Sequence, residues 1–254
     1  MSRAIVLAYH GIEVGPRPLW IDPARFREHL DTIAASGAEP VSLSRIVRGL
    51  RDGDLPERCV AVTFDDGLLS VVENAVPLLA ERGIPATVFC VAGWLGRTND
   101  WPSQPPGVPR RQLAGAGALA DAAAAPGIEI GSHGTDHAPL VPDSAEHLLR
   151  REIVDSRATL EHAVGVPVRH FAYAYDAAFS PRACELVAST YDGACAGANQ
   201  PVFKGSDPLK IPRVDSHYLR RPALLRRALE GDGSYLALRR AGGRARRLVL
   251  SDWR

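Results

Sequence analysis

Two short segments hold the side chains best placed to do chemistry. The first is Val62-Thr63-Phe64-Asp65-Asp66-Gly67, in which an apolar run from Cys59 to Val62 ends in two adjacent carboxylates. Neighbouring residues within a strand point to opposite faces, but where a strand ends the chain turns and both can reach one cleft. Two like charges held close in a poorly solvated cleft cannot both stay ionised cheaply, and a dication relieves them. The second segment is Ile128-Glu129-Ile130-Gly131-Ser132-His133-Gly134-Thr135-Asp136-His137, another apolar strand end followed by two imidazoles. A helical turn after Ser132 would put His133 and His137 on one side, able to grip one ion. Two histidines and one carboxylate leave coordination positions open, as a catalytic zinc or similar divalent ion requires.

Such side chains need a scaffold that brings strand ends together. Short apolar runs alternate with amphipathic stretches, the pattern of repeated βα units around a mainly parallel sheet. Strands are expected near 4–9, 59–64, 86–91, 128–131, 168–172, 193–196 and 210–214. Between them, Asp22-Pro23 supplies an N-cap and a first-turn proline for a helix with Phe26, Leu30 and Ile33 on one face. Leu43, Ile46, Val47 and Leu50 repeat that pattern. Asp143 with Glu146 reads as a capping box, opening a helix whose Leu149, Ile153 and Leu160 point inward until Gly165 stops it. The proline-rich stretch Arg97 to Pro109 is too long for a minimal βα connection and reads as a functional lid or an ordered insertion. In parallel α/β folds the chemistry lies at the C-terminal edge of the sheet, which is where both segments fall.

The bulk composition sets limits on the function. A chain of 254 residues, 46% apolar and 23% charged, has ordinary globular composition, and a single domain over residues 1–254 is expected. The formal net charge of +1 gives no global field for nucleic acid. Arg239, Arg240, Arg244, Arg246 and Arg247 make the C-terminal end locally basic, as a solvated helix face or as a peripheral contact with an anionic partner or membrane surface. The N-terminal apolar stretch runs straight into Tyr9-His10-Gly11 without the features of a secretory signal, and no apolar run approaches the roughly 20 residues that span a bilayer. Cys59, Cys90, Cys184 and Cys195 are scattered as core residues would be. A cytoplasmic setting is expected.

Taken together, Thr63-Phe64-Asp65-Asp66-Gly67, Gly83-Ile84-Pro85-Ala86-Thr87-Val88-Phe89 and Gly131-Ser132-His133-Gly134-Thr135-Asp136-His137 resemble the polysaccharide deacetylase family, the NodB homology domain of carbohydrate esterase family 4. The resemblance runs from Tyr9-His10 to Ile211-Pro212-Arg213 and implies a deformed (β/α) barrel of about seven strands. It implies metal-dependent removal of acetyl groups from sugars, with Asp65 as general base and Asp66, His133 and His137 as ligands of a divalent metal, zinc foremost. The segment Phe171-Ala172-Tyr173-Ala174-Tyr175-Asp176 resembles the family's third motif, whose aromatic residue, here Tyr175, lends its backbone N–H to the oxyanion. Ala174 stands where members commonly have proline, Asp176 where they have glycine, and Ala172 where an arginine orients the base. Arg213, at the end of another strand, could supply that charge instead. No late Leu-x-His motif is evident for the general acid. A branch of the family resembles a circular permutation with an N-terminal Tyr-His element, which makes His10 the acid and His217 its competitor.

The substrate expected from this resemblance is an acetamido sugar, free or linked to a lipid or nucleotide carrier. Trp20 and Trp101 are sugar-platform candidates, Trp94 is as well suited to core packing, and Asp100 could bind hydroxyl or amino groups. Asp176 either favours a substrate with a nearby cationic amine or serves as a turn or N-cap aspartate before Ser180-Pro181. Two alternatives stay open: the same metal site acting on a non-sugar amide or cyclic imide, and a carbohydrate-binding remnant without catalysis. The sequence leaves oligomeric state undetermined.

Overall fold

The computed structural model describes residues 3–176, 180–197 and 199–238; the arginine-rich C-terminal end, from Arg239 onward, lies outside them. Seven parallel strands close into a barrel: β1 (Arg3–Tyr9), β2 (Arg58–Phe64), β3 (Ala86–Cys90), β4 (Ile128–Ser132), β5 (His170–Ala172), β6 (Gly193–Gly197) and β7 (Ile211–Asp215). Each pairs with the next, and β1 closes the ring by pairing with both β2 and β7. The expected strands are all present, with ends shifted by a residue or two. The ring is uneven: β1 meets β2 over seven residue pairs but β7 at only Leu7↔Val214 and Ala8↔Asp215. Below that seam the two-residue strand Val202–Phe203 runs antiparallel to the start of β1.

Alternate strand residues divide the buried side chains into two clusters, as the period of a strand requires. One holds Ile5, Leu7, Val60, Val62, Val88 and Ile130 and packs under the surrounding helices. The other holds Ala4, Val6, Ala61, Phe89, Cys195 and Ile211, the barrel interior, closed at one end by Leu43, Ile46 and Val47 of helix α2 (Leu43–Asp52). Helix α1 (Pro23–Ala35) starts as its sequence requires, with Asp22 accepting the Arg25 N–H. The outer layer continues with α3 (Val76–Arg82), α4 (Ala116–Ala124), α5 (Glu146–Arg150), α6 (Ser156–Val164), α7 (Pro181–Thr190) and α8 (Pro222–Glu230).

The segment read as one helix from Asp143 to Gly165 differs from that expectation at its start and in its middle. The helix begins at Glu146 with Ala145 in the N-cap position and no side-chain cap. Ser144 N–H instead closes a turn on the Val141 carbonyl, and the Glu146 carboxylate is taken by Arg182 at 2.8 and 2.9 Å, so no capping box forms. Between α5 and α6 the chain makes a π-helical turn, Arg151–Asp155. Gly165 ends α6 in the left-handed conformation, φ 72°, as the sequence suggests.

Candidate active site

The C-terminal strand ends open into a cavity of about 490 Å³. At the end of β2, Asp66 and Gly67 both adopt left-handed φ, 72° and 69°. For Asp66 that conformation costs of order 1 kcal/mol and needs support from the surroundings. It turns the chain so that the adjacent side chains of Asp65 and Asp66 both line the cavity. At the end of β4 the chain does not enter a helical turn, contrary to the expectation for His133 and His137. It forms an irregular loop, with Gly134 at φ 87° and His137 at φ 55°. The two imidazoles nevertheless converge, ring centroids 4.7 Å apart, because the loop doubles back over the strand end.

Asp66, His133 and His137 each present one ligand atom, all within 4.8 Å of one another and all on buried residues. His137 Nε2 lies 3.4 Å and His133 Nε2 3.8 Å from Asp66 Oδ1. His133 Nδ1 is 2.8 Å from the Ala172 carbonyl; donating its N–H there leaves Nε2 unprotonated toward Asp66. Burial holds His133 down to about 4, despite the opposing pull of Asp65, so the ring stays neutral near pH 7. Burial alone would raise Asp66, but the hydrogen bond and charge of His137 bring it below the ordinary carboxylate value. Two converging imidazoles facing a carboxylate are the donor set of a divalent metal site with open positions, and these residues fit one.

Asp65 borders that trio, its Oδ2 4.0 Å from His133 Nε2, but both of its oxygens are taken by an arginine. Arg213, 5% exposed, grips it with two parallel bonds, Nη1 to Oδ1 at 2.6 Å and Nη2 to Oδ2 at 2.8 Å. Nη1 also reaches Thr63 Oγ1, whose hydroxyl donates to the Leu7 carbonyl, so the fork is fixed by the barrel wall. Burial pushes the Asp65 carboxyl up, but the Arg213 and His133 charges and the Arg213 hydrogen bonds outweigh it and leave the group well below the usual carboxylate range. The charge that binds Asp65 thus comes from β7, while Ala172 on β5 has none to offer. Arg169, next to the third motif, is turned outward to Asp192.

His10 follows β1 into the cavity and lies close enough to Asp65 and Asp66 to lower both electrostatically. His217 is not among the cavity-lining residues, although Asp215 and Tyr218 on either side of it are. Tyr175 has φ 59° at the kink of a short 3₁₀ turn, with its ring edge-on to His137 at 4.4 Å between centroids. Its hydroxyl donates to the Ser103 carbonyl at 2.8 Å and accepts from Trp101 Nε1 at 3.2 Å.

The substrate-platform expectations need correcting. Trp101 is 2% exposed and stacks on His137, centroids 4.5 Å apart and planes 25° from parallel, so it supports an imidazole and offers no free face. Trp20 is also 2% exposed, its ring filling the space beside Gly11 and Gly15 with Arg111 over it. Asp100 does not line the cavity; it accepts from Thr98 Oγ1 at 2.7 Å within its own turn. Trp94 packs edge-on against Trp101. The Asp176 side chain lies outside the described residues. The stretch Arg97 to Pro109 is an ordered wall of the site: Pro105 and Val108 line the cavity, and Ser103 Oγ donates to the His137 carbonyl.

Among the polar lining residues, the sequence reading gave no role to Tyr173, Asn199, Asp215 and Tyr218, which lie at or just beyond the ends of barrel strands. Asp215 and Tyr218 sit next to the expected strand at 210–214, a position that itself could have drawn them in. It also missed Glu152, 1% exposed behind the His133–His137 loop. The available signal was its place among Leu149, Ile153 and Ser156, a carboxylate on the buried face of an amphipathic helix.

Comparison with known proteins gives the site a context. The sequence profile described as polysaccharide deacetylase matches residues 52–190, from the end of α2 to the end of α7. The chain is similar to a poly-β-1,6-N-acetyl-D-glucosamine N-deacetylase of Staphylococcus epidermidis, 31% identical over 74 residues, 29% of this chain and 26% of that protein. The corresponding Staphylococcus aureus protein is 29% identical over 79 residues, 31% of this chain and 27% of the other. These matches thus span about a quarter of the curated relatives' length. Among solved structures, IcaB of Ammonifex degensii superposes with a TM-score of 0.73 at 24% identity, covering 89% of this chain and 98% of the other. The Streptococcus pyogenes deacetylase PplD, in complex with acetate, superposes at 0.70 with 18% identity, covering 84% and 92%. Both share the fold.

Proposed function

Because the chain belongs to the polysaccharide deacetylase family, we propose that it is a metal-dependent hydrolase that removes the N-acetyl group from an acetamido sugar. The observation that carries this reading is the division of labour between adjacent carboxylates: Asp66 joins His133 and His137, while Asp65 is bound by Arg213 and stays out of that trio. Asp66, His133 and His137 would hold a divalent ion, zinc by the nature of the donors, which when bound would supply the positive charge to acidify water and polarise an acyl oxygen.

Asp65, kept ionised by Arg213, accepts the proton of the attacking water. Its depressed pKa makes it a weak base, suited to a water already made acidic rather than to bulk water. His10, on the same cavity wall, protonates the amine nitrogen as the C–N bond breaks. Tyr175, which lines the cavity with its ring edge-on to His137, offers its backbone N–H to the developing oxyanion. Arg213 fixes the orientation of the base.

The withdrawal of Trp20 and Trp101 from the cavity leaves Pro18, Leu19, Pro105, Val108 and Tyr218 as its apolar walls, and this keeps a second reading in view: a non-sugar amide or cyclic imide cleaved by the same groups. One assay separates the readings. Acetate release is measured from acetamido mono- and oligosaccharides, free and linked to lipid or nucleotide carriers, beside ring opening of a cyclic imide, with and without chelator. Acetate release that stops with chelator and falls by about 10²–10⁴ in Asp65→Asn is expected. Imide turnover alone would establish the second reading, and chelator-insensitive activity would overturn both.

A further inference from the structure

The loop bearing His133 and His137 is neither helix nor strand, and two of its residues sit at positive φ. Non-glycine residues there cost of order 1–3 kcal/mol and persist only when the surroundings determine them. On one side backbone bonds tie its first half to the end of β3 and the segment after it: His133 N–H to the Cys90 carbonyl, and Ala92 and Gly93 N–H to the Gly134 and Thr135 carbonyls. What lies behind the loop is a carboxylate. Glu152 Oε2 accepts the N–H of Thr135 at 3.0 Å and of Ala138 at 3.3 Å, and Oε1 accepts that of Asp136 at 2.9 Å. Three amide groups of the loop, those of Thr135, Asp136 and Ala138, thus converge on one buried side chain, on either side of His137.

The neighbours of Glu152 hold the same loop. The Arg151 carbonyl accepts from Thr135 Oγ1 at 2.6 Å, and Arg151 Nε donates to Asp136 Oδ2 at 2.7 Å. Ser156 Oγ meets Ser132 Oγ at 2.8 Å, and Ser132 Oγ accepts the Gly134 N–H at 3.2 Å. All three residues belong to or border the π turn at Arg151–Asp155, the kind of local widening of a helix that recurs at functional sites. Gly134 fits this arrangement closely: a Cβ there would lie 2.3 Å from Glu152 Oε2.

We propose that Glu152 is the positioning residue of the His133–His137 pair, its carboxylate fixing the loop so that the two imidazoles and Asp66 are pre-set for one ion. This rests on the metal-site reading above. Glutamine at this position keeps the shape but turns an NH₂ group toward loop N–H donors, so the register of the loop changes while the helix remains. Outer-shell partners of metal ligands typically govern affinity by about 10–100-fold, and that is the loss expected for Glu152→Gln.

The test is a Zn²⁺ titration of the metal-free protein against a chromophoric chelator, paired with the visible spectrum of the Co²⁺ form and the thermal midpoint of the metal-free form. Glu152→Gln and Gly134→Ala should both weaken Zn²⁺ binding and alter the Co²⁺ bands. Leu149→Ala, which empties core volume on the same helix, should lower the metal-free midpoint and leave affinity and spectrum as they are. If Glu152→Gln instead behaves like Leu149→Ala, the residue is only a piece of the fold and the inference is overturned. If the wild-type protein takes up neither ion, the metal-site reading fails and the inference falls with it.

Discussion

The Asp65–Arg213 pair shows how one guanidinium decides what a carboxylate can do. Both side chains are almost fully buried, and the two bonds are short and parallel. Removing one partner of a buried pair leaves an uncompensated charge, so Arg213→Ala should destabilise the metal-free protein by about 3–5 kcal/mol in urea unfolding. Arg213→Lys, which keeps the charge but not the fork, should fall between the two. A loss below about 1 kcal/mol for Arg213→Ala, the size of an exposed pair, would mean that Asp65 is solvated and not held as described. At this scale much of the site was legible. Asp65, Asp66, His133 and His137 lie in compact motifs at the ends of apolar runs, and Arg213 could be suspected from its place at a strand end. Glu152 showed only as a carboxylate on a buried helix face; what it binds did not show, because its partners are backbone N–H groups, which leave no mark on residue type.

Helices and loops were legible to the extent that their ends are written in side chains. The Asp22 cap and the Gly165 stop are local chemistry, and both are where the sequence puts them. The Asp143 capping box and the helical turn after Ser132 are not formed, because longer-range partners take the groups each would use: Arg182 takes Glu146, and Glu152 takes the loop amides. The same competition hid the true setting of Trp101, whose ring is claimed by His137 and whose N–H is claimed by Tyr175. This gives a paired prediction. Asp22→Ala removes a cap that accepts the Arg25 N–H at 2.9 Å and should cost about 1 kcal/mol. Asp143→Ala removes no cap and should stay within about 0.5 kcal/mol of wild type. Urea midpoints at fixed slope decide it, and an equal loss in both variants would restore the capping box.

At the scale of the whole barrel, the thin join between β1 and β7 is reinforced from outside by a buried histidine. His29, on α1, meets Tyr9 Oη at 3.0 Å through Nδ1 and the Arg220 carbonyl at 3.1 Å through Nε2, tying β1 to the chain that follows β7. A neutral ring satisfies both contacts, its Nε2–H donating to the carbonyl and its Nδ1 accepting from the tyrosine. Burial lowers the pKa of His29, with the charges of Arg25 and Arg220 adding to it and the Arg220 carbonyl hydrogen bond and Glu28 only partly opposing. In the unfolded chain the ring titrates near the ordinary histidine value of about 6.5. Between the folded and unfolded pKa values the unfolded state binds more protons, so stability rises with pH there. The contribution is complete above about 6.5 and is lost progressively as pH falls through the folded value. His170, buried at the opposite end of the barrel against Ser44 and likewise lowered by burial, adds a loss of the same sign. The urea midpoint of the wild-type protein should therefore drop between pH 7.5 and pH 5, in a range where few carboxylates titrate. In His29→Gln, whose amide can offer one donor and one acceptor to the same partners, the protein should be less stable at pH 7.5 and show a shallower drop toward pH 5. An unchanged slope would mean that the ring at the seam is already protonated in the folded protein, and that the barrel is closed there by an ion rather than by a neutral bridge.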